Sequence, residues 1–260
     1  MNQYSLSPLQ TREIFHLEFL RRLLREAKPN TLALKGGVNL RFYFNSPRYS
    51  EDMDIDCAGI PVARLQDMVM GILSMRTLLD TLAVYGILRV AAPDLRVAKQ
   101  TETTQRFKVH LHTENSLDLF TKIEFSRRGF SQPQPVVEEI SATILKAYRI
   151  APFMAPHYPA PAAFAQKISA LAGRATTQAR DIFDIHILRP HISQELPPVT
   201  KAILAAARKN VFAIEYERFR DTVIEYLAPD DRNAYGSRSV FDDMRLYVDE
   251  FISCLKTGLD

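Results

Sequence analysis

Between Asp52 and Cys57 the chain reads Asp-Met-Asp-Ile-Asp-Cys, and this alternation constrains the fold more than any other stretch. A period of two fits a strand with Met53, Ile55 and Cys57 toward a core and Asp52, Asp54 and Asp56 on the opposite face. Three like charges on one strand face repel, so the pattern gains nothing unless something cationic sits among them. Upstream, the apolar run Thr31 to Leu34 ends at Gly36-Gly37, Val38 to Phe44 begins a helix packed on a sheet, and Asn45-Ser46-Pro47 stops it. Two glycines at a strand-to-helix turn let backbone N–H groups approach an anion closely, and the helix N-terminus adds its positive dipole. Asp52 and Asp54, two residues apart on one face, can hold one or two Mg2+ ions that bridge triphosphate oxygens and activate an attacking hydroxyl. Asp56 is expected outside that shell, because strand twist carries it away. The combination points to phosphate chemistry.

The flanking segments supply an α/β frame. Arg12 to Glu26 alternates apolar and charged residues at helical spacing, with Ser7-Pro8 as its start and Lys28-Pro29-Asn30 as its stop. Val62 to Leu82 reads as helix, and Tyr85 to Phe125 as several strands with a basic loop between them. In the last of these, Leu117-Asp-Leu-Phe-Thr-Lys-Ile-Glu-Phe125, Glu124 falls on the polar side and Phe120 interrupts that side. Glu124 can complete the carboxylate set from a neighbouring strand; the alternative is a surface glutamate paired with Lys122 or Arg127. Prolines 152, 156, 159 and 161 mark a connection. Two helices follow, separated by Gly173 and the run Ala175 to Gln178, and everything beyond Pro190 reads as helical with breaks at Pro197-Pro198 and Pro229.

In the first two of these helices, Lys167 borders the apolar stripe Phe164, Ile168 and Leu171, from which it can reach a nucleotide phosphate. Asp181 and Asp184, three apart, share a helix face. The alternative is a salt-bridge cluster of these residues with Arg174 and Arg180 that ties the two helices together. Arg48 and Ser50 precede the acidic strand in the loop facing the glycines and are candidates for triphosphate contact. His110 and His112 show no metal-ligand spacing and read as structural or surface residues. Cys57 and Cys254 form no zinc pattern, and with no apolar stretch near 18 residues a cytoplasmic protein without a membrane span is expected. The net charge of +3 permits a polyanionic partner without requiring one.

The stretches Leu-Ala-Leu-Lys-Gly-Gly-Val-Asn-Leu-Arg-Phe-Tyr-Phe, Pro-Arg-Tyr-Ser-Glu-Asp-Met-Asp-Ile-Asp, Thr-Lys-Ile-Glu-Phe and the block from Phe164 to Leu188, in this order, resemble the AbiEii/AbiGii nucleotidyltransferase toxins of bacterial toxin–antitoxin and phage-defence systems, within the DNA polymerase beta-like nucleotidyltransferase superfamily. The resemblance implies a mixed-sheet nucleotidyltransferase core over 1–155 and a mostly helical C-terminal domain over 156–260. It makes Asp52 and Asp54 the metal pair, Gly36 and Gly37 the turn under the triphosphate, and Lys167 and Asp181 later functional positions, with Asp184 in the same block. It also implies an NTP substrate, an RNA acceptor at the 3′ end of tRNA, growth arrest, and a separately encoded antitoxin. One departure is Val38, where the superfamily has Ser or Thr, so that Asn39, Ser50 or backbone N–H groups would replace the missing hydroxyl. Arg89, Arg96, Lys99, Arg106 and Lys108, with Lys201, Arg208 and Lys209, are candidates for RNA phosphates. Two other readings stay open: an enzyme of this fold that nucleotidylates or phosphorylates a protein or small molecule, and a non-catalytic nucleotide- or RNA-binding protein.

Overall fold

The computed structural model describes residues 6–95, 98–192 and 196–255. The chain forms two compact units, the first comprising Met1–Asn39, Tyr49–Phe130 and Pro135–His157, the second Leu40–Arg48, Ser131–Gln134 and Tyr158–Asp260. The first begins with α1 (Pro8–Glu26), whose start matches the Ser7-Pro8 signal: Ser7 Oγ accepts from the Gln10 N–H and the Gln10 side chain accepts from the Ser7 N–H. This reciprocal cap satisfies two N–H groups that a helix start otherwise leaves bare. Next come β1 (Leu32–Lys35), α2 (Gly36–Tyr43) and β2 (Asp52–Cys57).

The predicted single helix over 62–82 is two helices, α3 (Val62–Ser74) and α4 (Arg76–Ala83), separated by an extended Met75. The Ser74 hydroxyl donates to the carbonyls of Met70 and Gly71, a local bond that competes with continuation of the helix. After β3 (Ile87–Ala91), β4 (Thr104–Thr113), β5 (Asp118–Ser126), β6 (Val136–Glu139) and α5 (Ala142–Ala147), the unit closes with β7 (Met154–His157). Part of the proline-marked connection is therefore a strand. Pro156 sits within it opposite Val137 of β6, and His157 pairs with Leu34 of β1.

The seven strands make one mixed sheet in the order β3-β4-β5-β2-β1-β7-β6, with β2 parallel to β5 and β1 parallel to β7. One face is apolar. Met53, Ile55, Phe107, Val109, Leu111, Ile123 and Phe125 are all buried there, and α1 packs with α3, α4 and β5. The other face of β2, β5 and β4 carries the polar side chains discussed below.

The second unit is helical: α6 (Ala160–Gly173), α7 (Ala179–Leu188), α8 (Lys201–Phe212), α9 (Tyr216–Thr222), α10 (Pro229–Tyr235) and α11 (Arg238–Ser253). Its core includes Phe164, Ile168, Phe183, Phe219 and Phe241. Phe219 and Phe241 stack with centroids 4.6 Å apart, a geometry worth about 0.5–1.5 kcal/mol beyond the area it buries. Among the described residues no helix is long and apolar enough to cross a membrane.

Candidate active site

The sheet register converts the acidic alternation into a cluster. Asp54 on β2 lies directly opposite Glu124 on β5, and Asp52 opposite Lys122. On the other side Asp54 faces Lys35 of β1. Because the pairing is in register, the side chains of Asp52, Asp54 and Glu124 share one face of two adjacent strands. Burial pushes the Asp54 carboxyl above its ordinary value; Lys122 opposes the shift, Glu124 adds to it, Lys35 opposes it and Asp52 adds to it.

Cations already sit among these carboxylates. Lys122 Nζ is 2.8 Å from Asp52 Oδ2, Arg106 Nε is 2.7 Å from Glu124 Oε2, and Lys35 Nζ is 2.5 Å from Asp56 Oδ1. Glu124 is therefore paired chiefly with Arg106, and Lys122 lies farther off at 3.9 Å. Asp56, nearly fully buried, points to Lys35. Lys35 was not singled out from the sequence, although it stands immediately before Gly36-Gly37.

Gly36 begins α2 with φ +67°, a conformation that glycine adopts without strain. A Cβ at this position would come within 2.8 Å of Asp54 Oδ2, so the backbone leaves no room for a side chain beside that carboxylate. Gly37 is the second residue of α2. Val38 is buried, which is where its apolar side chain belongs, and Asn39 is buried with its Oδ1 3.0 Å from His157 Nδ1. The Ser50 hydroxyl donates to the Asp52 carbonyl at 2.8 Å and so holds the entry to β2. A further bond chain lies under the strands: the Thr121 hydroxyl donates to the Glu51 carbonyl at 2.6 Å and accepts from His16 Nε2 at 2.8 Å.

An all-oxygen set of two aspartates and a glutamate has the chemistry of a Mg2+ site. Among the described residues no three His, Cys, Asp or Glu side chains stand ready to enclose a metal, as Lys122 and Arg106 hold two of the carboxylates. The residues fit a divalent cation in donor type and in the close approach of Gly36 to Asp54. Binding requires Asp52 and Glu124 to exchange their basic partners for it.

The second unit holds a separate charged cluster. Lys167 on α6 is buried, with Nζ 2.6 Å from Asp184 Oδ2 and 3.5 Å from Asp181 Oδ1. Arg48 Nη2 lies 3.2 Å from Asp184 Oδ1, and Arg174 Nε donates to Asp181 Oδ2 at 2.9 Å. Both aspartates are fully buried on α7, with Ile182, Phe183 and Ile185 buried around them. Burial raises the Asp184 carboxyl, but the charges and hydrogen bonds of Arg48 and Lys167 outweigh it and hold the group below its ordinary value. Among the described residues Asp181 Oδ1 accepts no hydrogen bond. Arg180 is exposed.

Of the candidate RNA-contacting residues, Arg106 is tied to Glu124 and Arg208 to Asp249, while Lys99 and Lys108 are exposed and Arg96 lies outside the described residues. Cys57 is a buried free thiol and Cys254 an exposed one.

No curated protein sequence matches the chain. Among solved structures it is similar to JHP933 from Helicobacter pylori, at 17% identity and TM-score 0.57, with 96% of this chain and 92% of that one covered. It is also similar to the nucleotidyltransferase toxin MenT4 from Mycobacterium tuberculosis H37Rv, at 16% identity and TM-score 0.58, covering 96% and 87%. At these identities the likeness establishes the fold. The profile of the family described as nucleotidyl transferase AbiEii toxin, type IV toxin–antitoxin system, matches residues 18–252. The protein therefore belongs to the AbiEii family of nucleotidyltransferase toxins.

Proposed function

We propose that this enzyme transfers a nucleoside monophosphate from an NTP to the terminal hydroxyl of an RNA, with the 3′ end of tRNA as acceptor and Mg2+ held by Asp52, Asp54 and Glu124. The observation that carries the reading is the register that sets Asp54 beside Glu124, with Gly36 close against Asp54. Family membership implies an NTP substrate and a cognate antitoxin. A divalent cation bound by these carboxylates would supply charge neutralisation for the triphosphate and lower the pKa of the attacking hydroxyl.

The remaining roles fall to this chain's own groups. The turn at Gly36 and Gly37 offers backbone N–H groups to the triphosphate without a side chain intervening. A new bond forms between the acceptor oxygen and the α-phosphorus, the bond from that phosphorus to the α,β-bridging oxygen breaks, pyrophosphate leaves, and the hydroxyl proton passes to a carboxylate of the set. Lys167 is assigned to phosphate charge and Asp181 to the orientation of Lys167 or of the acceptor. Asp184 holds both Lys167 and Arg48, so contact of either with a nucleotide requires it to exchange that carboxylate for phosphate. Both substrates are cytoplasmic, which sets the compartment. Growth arrest, released by the antitoxin, is the biological outcome in this reading, and phage defence its setting.

The test is incubation of the purified protein with Mg2+, each α-labelled NTP in turn and total bacterial RNA, beside Asp52→Asn. Label in a tRNA-sized band with wild type alone supports the reading and names the base. Label on protein or a small molecule moves the acceptor to that class, and label with Asp52→Asn at the wild-type rate removes the carboxylates from the chemistry.

A further inference from the structure

On the polar face of the sheet, the strands next to the carboxylates continue outward in matched rows. Arg106 of β4 lies opposite Glu124 of β5, Lys108 opposite Lys122, His110 opposite Phe120, and His112 opposite Asp118. Two rows are unexpected for a face that merely meets water. Lysines directly opposite each other repel. Lys122 is neutralised by Asp52, but Lys108 is exposed and has no carboxylate partner among the described residues. One row further, about 7 Å along the strand, Phe120 is 41% exposed and meets the exposed His110 edge to ring, with centroids 5.4 Å apart. A lone exposed aromatic needs no explanation. This one is paired with a second ring, lies beside an unneutralised lysine, and is on the face that carries the catalytic carboxylates.

The far side of the pair is closed by charge. Arg89 of β3 donates to His112 Nε2 at 2.8 Å, so the remaining proton of His112 lies on Nδ1, 3.8 Å from Asp118 Oδ1. His110 Nδ1 is 3.2 Å from the same carboxylate oxygen. From the carboxylates outward, the face thus presents a lysine pair suited to one phosphate, a ring pair suited to one base, and then an acidic boundary. Arg12 fixes the backbone beneath the ring by donating to the Phe120 carbonyl at 2.8 Å.

We infer that Phe120 and His110 form a stacking platform for a base near the end of a single-stranded RNA, with Lys108 and Lys122 taking its adjoining phosphate. The inference rests on the nucleotidyl-transfer reading and assigns the acceptor to the β4 side of the carboxylates, opposite the Gly36 turn. Charge complementarity and continuity with the carboxylate face select RNA as the occupant. Stacking accepts any base, because every base offers a π-face.

The test is fluorescence anisotropy of the full chain with a 5′-fluorescein-labelled 12-nucleotide oligoadenylate RNA, without NTP. Phe120→Ala should weaken binding about 5- to 100-fold, the effect of losing one base–aromatic stack. Phe120→Tyr should bind within about two-fold of wild type. Phe120→Leu keeps apolar bulk without an aromatic face and should resemble Phe120→Ala, which separates stacking from folding. Lys108→Ala should weaken binding and lower the salt slope by about one. Wild-type affinity in Phe120→Ala or Phe120→Leu, or no binding of the oligonucleotide by wild type, overturns the platform. The transfer reading is judged apart, by label incorporation with Asp52→Asn: loss of transfer there with unchanged RNA binding in Phe120→Ala would sink the platform and leave the reading intact. Persisting transfer in Asp52→Asn with impaired RNA binding in Phe120→Ala would do the reverse.

Discussion

Lys122 Nζ lies 2.8 Å from Asp52 Oδ2, so the ammonium stands where charge balance favours a metal cation. With both side chains part-exposed, the pair contributes on the order of 0.2–1 kcal/mol. In the proposed mechanism a divalent ion would displace that contact. Lys122→Met, which keeps length and removes charge, should therefore bind Mn2+ about two- to five-fold more tightly by isothermal titration calorimetry. Unchanged or weaker affinity would show that Lys122 does not compete at the carboxylates.

Gly36 and Gly59 share a left-handed backbone, with φ +67° and +72°, but a Cβ at Gly36 meets Asp54 whereas at Gly59 it meets nothing within 4 Å. Alanine at either position costs about 1–2 kcal/mol in backbone strain. Gly36→Ala must in addition displace Asp54 by a few tenths of an ångström or more, and misplaced catalytic groups are costly, so transfer should fall on the order of 100-fold. Gly59→Ala should keep near-wild-type transfer at a similar loss of stability. Equal activity in the two variants, measured by label incorporation and paired with urea denaturation, would refute a positional role for Gly36.

The sequence carried the local features and left out the pairings between distant segments. Asp-Met-Asp-Ile-Asp-Cys declares a strand and its two faces because the side-chain period is a property of the backbone, and Ser7-Pro8 declares a helix start because capping is local. That Asp54 faces Glu124 depends on the register of β2 against β5, which no single segment encodes. The counter-ions Lys122, Arg106 and Lys35 depend on the same cross-strand geometry. The proline-marked connection hides β7 because a strand with Pro156 looks like a loop until β1 and β6 are placed beside it. Asp181 and Asp184 were legible as sharing one helix face; the pairing of Asp184 with Arg48 and Lys167 was not, since those cations come from other segments of the chain.

Asp184 is fully buried between Lys167 and Arg48, and removing its charge leaves two cations with one fewer partner. Breaking a buried pair in this way costs about 3–5 kcal/mol, so Asp184→Asn should lower the urea midpoint of the helical unit strongly. The carboxyl is held below its ordinary value, so its contribution is fully present above the unfolded pKa of about 3.9 and is lost as pH falls through the lower folded value. The gap between wild type and variant should thus be equal at pH 7 and pH 5.5. A gap that shrinks over that interval would mean the carboxyl is not stabilised as an anion.

His16 loses stability in acid too, but in a higher pH window. It is buried on α1 and bonded through Nε2 to Thr121, and burial, with Arg12 adding to it, lowers its pKa from 6.5 to about 3. The unfolded chain therefore binds a proton between those values that the folded chain refuses. Stability from this source is fully present above pH 6.5 and falls as pH drops toward 3, by about 1.4 kcal/mol per pH unit. Between pH 7.5 and 5 the loss amounts to about 2 kcal/mol. His16→Gln has no such proton, so the stability difference between wild type and variant, from urea denaturation followed by circular dichroism, should shift by that amount in favour of the variant at pH 5. A difference that stays flat would mean His16 titrates alike in both states. Thr121 and Glu51 immediately precede Lys122 and Asp52, and the Thr121 hydroxyl joins them. Because Nε2–H already donates to Thr121, the added proton must go to Nδ1, so acid places a charge on the buried ring without removing that bond.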